Sequence, residues 1–302
     1  MDAKRLRNCA ATGCGNAACG NAARPWHDDA MTEQAERYDR IAAGYARWWA
    51  PVIAPAALTL LDEIAGAVAG GATTVLDVGT GTGTLAIGLL RRWPGVRVTA
   101  IDASAGMIAV AAAEADRLLT PEQRHRLDLR VAFADDLGLA DESVDIAVSS
   151  FVLQLVPNRF RALREVRRVL RRGGIMVWES WLDHHRVWAP DLDFDNALLD
   201  VGEEPRGWTD RPDIRDIGAA GAQMRRAGFA RVRATAAELV QPFDVEGYIG
   251  FMAEFDEEDL IQGLDPAVRR RFDAALRRRL RRRSPEKLAL RLPTVTVLGT
   301  RR

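Results

Sequence analysis

Two acidic side chains beside a glycine turn carry most of the chemistry visible in this chain. The run Val75-Leu76-Asp77-Val78-Gly79-Thr80-Gly81-Thr82-Gly83-Thr84 passes from an apolar stretch into alternating glycines. Glycines let the backbone take positive φ and pass close under a ligand, and a following helix points its free N–H groups at that ligand. Asp77, two residues before the first glycine, would repel a pyrophosphate and suits a cationic group such as an ammonium or sulfonium. The spacing also differs from the dinucleotide fingerprint, whose third glycine falls one residue later. Asp102 ends the next apolar stretch, Val98-Thr99-Ala100-Ile101-Asp102, where a carboxylate can accept from both hydroxyls of a ribose. A positively charged nucleoside without a diphosphate satisfies both acids, and S-adenosylmethionine is such a molecule.

The segments VLDVGTGTG, VTAIDASAGMI, DDLGLADESVDIAVSSFVLQLV and LREVRRVLRRGGIMV occur in that order. Together they resemble class I S-adenosylmethionine-dependent methyltransferases, nearest the ubiquinone/menaquinone-biosynthesis-type small-molecule group, from about Tyr38 to the C-terminus. The resemblance implies that Asp77, Gly79, Thr80 and Gly81 surround the methionine part of the cofactor. It places Asp102 on the ribose, Ala103 and Met107 beside the adenine, and the Ser149 backbone at the amino-acid part. Tyr38 belongs to a leading helix that closes over the cofactor in relatives. Many relatives read Gly-Asp-Ala after the third strand, the Asp accepting from the adenine amino group. Here the stretch is Ala132-Phe133-Ala134, so the Ala134 backbone or Asp135 is expected to take that part.

For the transferred methyl the protein must supply alignment and, where the acceptor needs one, a base. Candidate bases follow the fifth strand in Glu179-Ser180-Trp181-Leu182-Asp183-His184-His185, with His184 and His185 foremost. Tyr38, Tyr45, Trp48, Trp49, Trp178, Trp181 and Trp188 offer walls for an apolar or aromatic small molecule. The acceptor atom, O, N or C, is left open. Two other readings stand beside methyl transfer: a nicotinamide-dependent oxidoreductase and a non-catalytic adenosyl-ligand binding protein.

These residues need a scaffold, and its pattern is an alternation of strands and helices. Strands are predicted at Thr74–Val78, Arg97–Ile101, Asp128–Phe133, Val144–Ser149, Ile175–Trp181, Val232–Leu239 and Pro293–Gly299. Helices are predicted over Gly83–Arg92, Ala105–Leu118, Arg159–Leu170 and Ile214–Ala227. The expectation is an α/β, doubly wound, seven-stranded sheet, mostly parallel with an antiparallel edge strand, plus a helical cap. The cap comprises two leading helices, one ended by Pro51 and one over Ala56–Val68, and an insertion at about 241–290. The segment between Trp181 and Ile214 reads as a polar, acidic connection.

Residues 1–30 are poor in large apolar side chains and are expected to be a disordered leader before a single domain over 31–302. Cys9, Cys14 and Cys19 are the only cysteines. With His27 they could form a thiolate metal site, but no second close pair accompanies them, and no metal is expected. A body without cysteine fits a cytoplasmic protein. Forty-two basic residues balance forty-two acidic ones, which argues against a general nucleic-acid binder. The arginine-rich stretch at 269–283 reads as a solvated face. No apolar run long enough to span a membrane is apparent, so the expected partner is a small molecule alone.

Overall fold

The computed structural model describes residues 25–183, 188–205 and 214–302, with side chains from residue 32. Its centre is a seven-stranded sheet in the order β3-β2-β1-β4-β5-β7-β6. The strands are β1 (Thr74–Val78), β2 (Arg97–Asp102), β3 (Leu127–Val131), β4 (Val144–Ser150), β5 (Leu170–Trp181), β6 (Phe229–Gln241) and β7 (Leu290–Arg301). The pairs among β1 to β5 are parallel, whereas β7 lies antiparallel between β5 and β6. The last two strands thus form the expected antiparallel pairing at the sheet edge, with β7 the reversed strand and β6 outermost. β6 and β7 are longer than expected because the two pair along nearly their whole length.

Helices cover both faces, as near-continuous apolar strands require. On one side α2 (Ala50–Ala69) and α3 (Thr84–Arg92) bury Leu60, Ile64, Leu85 and Leu89 against Val75, Ile146 and Val177. On the other, α6 (Arg159–Val169) and α8 (Ile217–Arg226) bury Leu163, Val166 and Met224 against Leu76, Ala147 and Trp178. α4 (Ala105–Leu118) follows β2, its N-terminus capped by the Ser104 hydroxyl, which accepts from Met107 N. A one-turn helix α5 (Pro121–Arg124), closed by a Thr120–Gln123 capping box, leads into β3.

Pro51 does not end the leading helix. α1 (Pro25–Gly44) passes through a π-helical turn, Tyr45–Trp49, directly into α2. Pro51 falls near the start of α2, just after the π-turn and inside the continuous helical stretch. The helix also begins at Pro25, inside the leader expected over residues 1–30; residues 1–24 lie outside the described part. The joined stretch Thr32–Ala69 is long and apolar enough, by length and composition, to cross a membrane, a feature the sequence pattern did not suggest. Leu60 and Ile64 within it are fully buried in the sheet's core.

The acidic connection after β5 is largely a helix, α7 (Ala189–Val201). Pro190 opens it, Gly202 at φ 86° stops it, and Phe194, Ala197 and Leu198 form its buried stripe. The insertion after β6 folds as α9 (Val245–Phe251), a second π-turn (Met252–Asp256), α10 (Glu258–Gly263), α11 (Pro266–Leu280) and α12 (Pro285–Leu288). These pack with α1, α7 and the first π-turn around a core of Phe194, Tyr248, Phe251, Phe272 and Leu276.

Candidate functional site

The glycine turn is held by its own neighbours before any ligand is considered. Gly79, Gly81 and Gly83 all have positive φ (72°, 54° and 85°), a conformation that penalises side chains. A Cβ on Gly79 would also lie 2.3 Å from a Val152 methyl. Thr80 N donates to the Ile101 carbonyl at 2.7 Å, fastening the turn to β2. Its hydroxyl donates to Asp77 Oδ2 at 2.7 Å.

Beside this turn opens a cleft with about 1030 Å³ of empty space, at the carboxyl ends of β1, β2 and β4. Ligands bind at this position in open α/β sheets. Of the residues singled out in the sequence, Asp77, Gly79, Thr80, Gly81, Asp102, Ala103, Met107, Ala134 and Tyr38 line it. Asp77 is 1% exposed, and burial, reinforced by the charge of Asp102, raises its pKa to about 7 against the pull of the Thr80 hydroxyl. Asp102 is raised by burial too, although N–H groups of Ser104, Gly81 and Ala103 oppose the shift. Its Oδ2 accepts from Gly81 N at 2.9 Å and its Oδ1 from Ser104 N at 3.0 Å. Each oxygen keeps a further lone pair for a ligand hydroxyl.

α1 closes one side of the cleft. The Asp39 carboxylate accepts from the Ser104 hydroxyl at 2.5 Å and from Gly106 N at 2.8 Å, at the positive end of α4. These bonds hold its pKa below the usual carboxylate range. Ser104 thus connects the closing helix to Asp102. Tyr38 and Tyr45 meet edge to face at 5.8 Å, and the Tyr45 ring stands over the position a Gly81 side chain would occupy. Gln34 also lines the cleft, and its amide nitrogen is buried without a partner.

Several expected residues are placed elsewhere. Ser149 is fully buried and donates to the Val78 carbonyl at 2.9 Å, joining β4 to β1. Successive strand residues face opposite ways, so the side chain that lines the cleft at this point is that of its neighbour Ser150, while the expectation for Ser149 concerned its backbone. Asp135 does not line the cleft, because it turns toward Arg161, 3.2 Å away. Ala134 remains at the wall, with Phe133 and Ala132. Among the aromatic residues, Trp178 is core, and Trp48 packs in the cap with its indole N–H on Glu254 at 2.6 Å. Trp188 packs on Phe243 and Tyr248. His184 and His185 lie outside the described residues. Among the described residues no group of acids, cysteines and histidines could hold a metal ion.

One wall residue had no signal in the sequence. Phe151, directly after β4, adopts φ 54° and stacks on Trp181 with centroids 3.8 Å apart. Gln154 Nε2 donates to its carbonyl at 2.6 Å and its own N–H donates to the Glu179 carbonyl at 3.0 Å, which hold the strained backbone in place. The site fits the cationic nucleoside expected from the sequence. It offers the buried Asp77 carboxyl, the half-buried Asp102 as a ribose-type acceptor at the end of β2, an unpartnered amide donor and an apolar floor of Ala103, Met107 and Ala134.

Residues 76–178 match the family described as methyltransferase domain. A malonyl-acyl-carrier-protein O-methyltransferase of Geobacter sulfurreducens is 34% identical over 158 residues, covering 52% of this chain and 56% of that protein. The ubiquinone/menaquinone biosynthesis C-methyltransferase UbiE of Geotalea daltonii is 34% identical over 104 residues, 34% of this chain and 43% of that protein. The matched stretch thus spans about half the length of these curated relatives. The crystal structure of the [4+2]-cyclase SpnF superposes with a TM-score of 0.55 at 21% identity, over 89% of this chain and 96% of that one. That likeness shows a shared fold over nearly the whole chain, cap included.

Proposed function

We propose that the protein binds S-adenosylmethionine in this cleft and transfers its methyl group to a small, apolar or aromatic metabolite. The observation that carries the reading is the Asp102 carboxylate, preset at the end of β2 by Gly81 and Ser104 N–H groups, with buried Asp77 one strand away. In this reading Asp102 accepts from the ribose hydroxyls, and the apolar floor takes the adenine. Asp77 lies on the side of the cationic portion, where a positive charge would restore its ionised form. When bound, the cofactor supplies a methyl group already activated on a sulfonium. The protein's part is to exclude water, through α1, and to hold donor and acceptor in line, which can account for about 7–11 kcal/mol of barrier. A buried carboxyl at the glycine bend and the methyltransferase-domain match do not favour a nicotinamide cofactor.

Asp102→Ala tests the reading by calorimetry with S-adenosylhomocysteine. Hydrogen bonds to a charged group contribute about 1.5–3 kcal/mol each, so affinity should fall by at least tenfold. Unchanged affinity would remove Asp102 from the site. Incubation with methyl-labelled cofactor and a metabolite extract then separates an enzyme from a binding protein, since only the enzyme moves label into a product.

A further inference from the structure

Beyond the cofactor residues, one polar pair at the cleft wall has no partner in the fold. β4 and β5 run side by side in a register that sets Ser150 next to Glu179. Strand alternation puts both side chains on the face that carries Val148 and Val177, beneath α2. Ser150 lines the cleft and Glu179 lies behind it, 2% exposed. Neither Ser150 Oγ nor Glu179 Oε2 has a hydrogen-bond partner, and no ion pair among the described residues involves Glu179. Burial raises its pKa to about 8, against the opposing pull of the Ser150 hydroxyl beside it. Buried polar atoms are nearly always satisfied, so two orphans side by side at a ligand cleft call for a third group. Around them the wall is apolar: Ile53 and Ala50 from α2, Tyr45 from the π-turn, and the Phe151 ring stacked on Trp181.

We propose that Ser150 and Glu179 form the polar end of an acceptor subsite that binds the hydroxyl group of a flat, apolar ring, with Phe151 as the wall beside it. This rests on the reading of the cleft as a methyl-transfer site. The chemistry favours a hydroxyl over other polar groups. A protonated carboxyl donates to the serine oxygen, the serine hydroxyl donates to the ligand oxygen, and the ligand hydroxyl donates back to the second carboxyl oxygen. Only a group that both donates and accepts closes this ring of hydrogen bonds. An ether or ketone leaves the carboxyl oxygen unpaired, and a carboxylate ligand would face a buried acid.

The test is calorimetric titration of the full-length protein, loaded with S-adenosylhomocysteine, using 4-propylphenol and propylbenzene as probes. The phenol should bind about tenfold more tightly, the yield of two net hydrogen bonds. Ser150→Ala and Glu179→Leu should cut that preference to about twofold or less, and Glu179→Gln, which still donates and accepts, should keep most of it. Glu179→Leu removes a buried unpaired acid, and thermal melts check its folding; should it fail to fold, Ser150→Ala and Glu179→Gln decide alone. Equal binding of the two probes, or binding of neither while S-adenosylhomocysteine binds, overturns the subsite and leaves the cofactor reading standing. Failure of S-adenosylhomocysteine itself to bind overturns both.

Discussion

The sheet's carboxyl edge and the helical cap meet at one cleft but are built on different principles. At the edge, function is carried by backbone geometry: positive-φ glycines, N–H groups of Gly81 and Ser104, and carboxylates fixed within three residues of a strand end. In the cap, position comes from side-chain packing across long sequence separations. Trp49 stacks on Phe255 at 5.6 Å, Phe194 meets Phe272 edge to face at 5.1 Å, and Gly44 brings α1 against the Glu254 carbonyl so closely that a Cβ there would overlap it. The cofactor edge is therefore expected to tolerate little change in backbone, and the cap little change in volume.

Phe272→Ala is the largest test of that contrast. Phe272 is 1% exposed at the centre of the cap, and emptying such a site costs about 3–5 kcal/mol. The melting temperature should fall by several degrees or more, while S-adenosylhomocysteine affinity of the folded fraction at low temperature stays within about threefold. An affinity loss as large as that of Asp102→Ala would show that the cap's core, and not the strand ends, sets the cofactor site.

The same difference governs what could be read in the sequence. Asp77, the glycines and Asp102 were legible because their roles follow from spacing along one strand and turn. The helix Ala105–Leu118 was legible to the residue because its N-cap serine is local. For Ser149 the expectation concerned its backbone, and strand alternation with a period of two makes Ser150 the side chain that faces the cleft there. Asp135 was lost to Arg161, a partner on α6 that no local pattern announces. Phe151 could not be foreseen, because positive φ in a phenylalanine is imposed by Gln154, Glu179 and Trp181 from outside. The π-turn at Tyr45–Trp49 is likewise a tertiary outcome, fixed where Trp48 and Gly250 interlock.

A smaller effect involves acids of both regions. Burial raises Asp77 to about 7, Glu179 to about 8 and, in the cap, Asp191 to about 7 despite the Tyr248 hydroxyl that donates to it. An acid whose folded pKa exceeds its unfolded value binds more protons when folded, so stability falls as pH rises from the unfolded value through the folded one. The ligand-free protein should therefore melt at a higher temperature at pH 5.5 than at pH 8.5. Asp145, lowered to about 2 chiefly by the Thr73 and Thr74 hydrogen bonds that outweigh its burial, loses its stabilisation only below about pH 4, outside this window. Asp191→Asn should flatten the cap's share of the slope. A melting temperature that climbs steadily from pH 5.5 to 8.5 would show that these carboxyls are not held protonated by burial.

The smallest expected effect lies where the two regions join. Asp39 belongs to the closing helix, yet its carboxylate is bound by Ser104 and Gly106 at the start of α4, and Ser104 N is bound by Asp102. Anything that leaves the cleft past α1 must break the Asp39 contacts or bend the helix at its π-turn. Asp39 is solvent-facing, so its bonds are screened and contribute about 1 kcal/mol together rather than the full value of buried charged ones. Asp39→Asn should therefore speed S-adenosylhomocysteine dissociation by a fewfold in stopped-flow displacement, with the association rate nearly unchanged and the melting temperature within a degree or two. Were association to change as much as dissociation, Asp39 would be shaping the open cleft rather than latching the closed one, and the boundary between the rigid edge and the packed cap would fall between α1 and the π-turn instead of at Ser104.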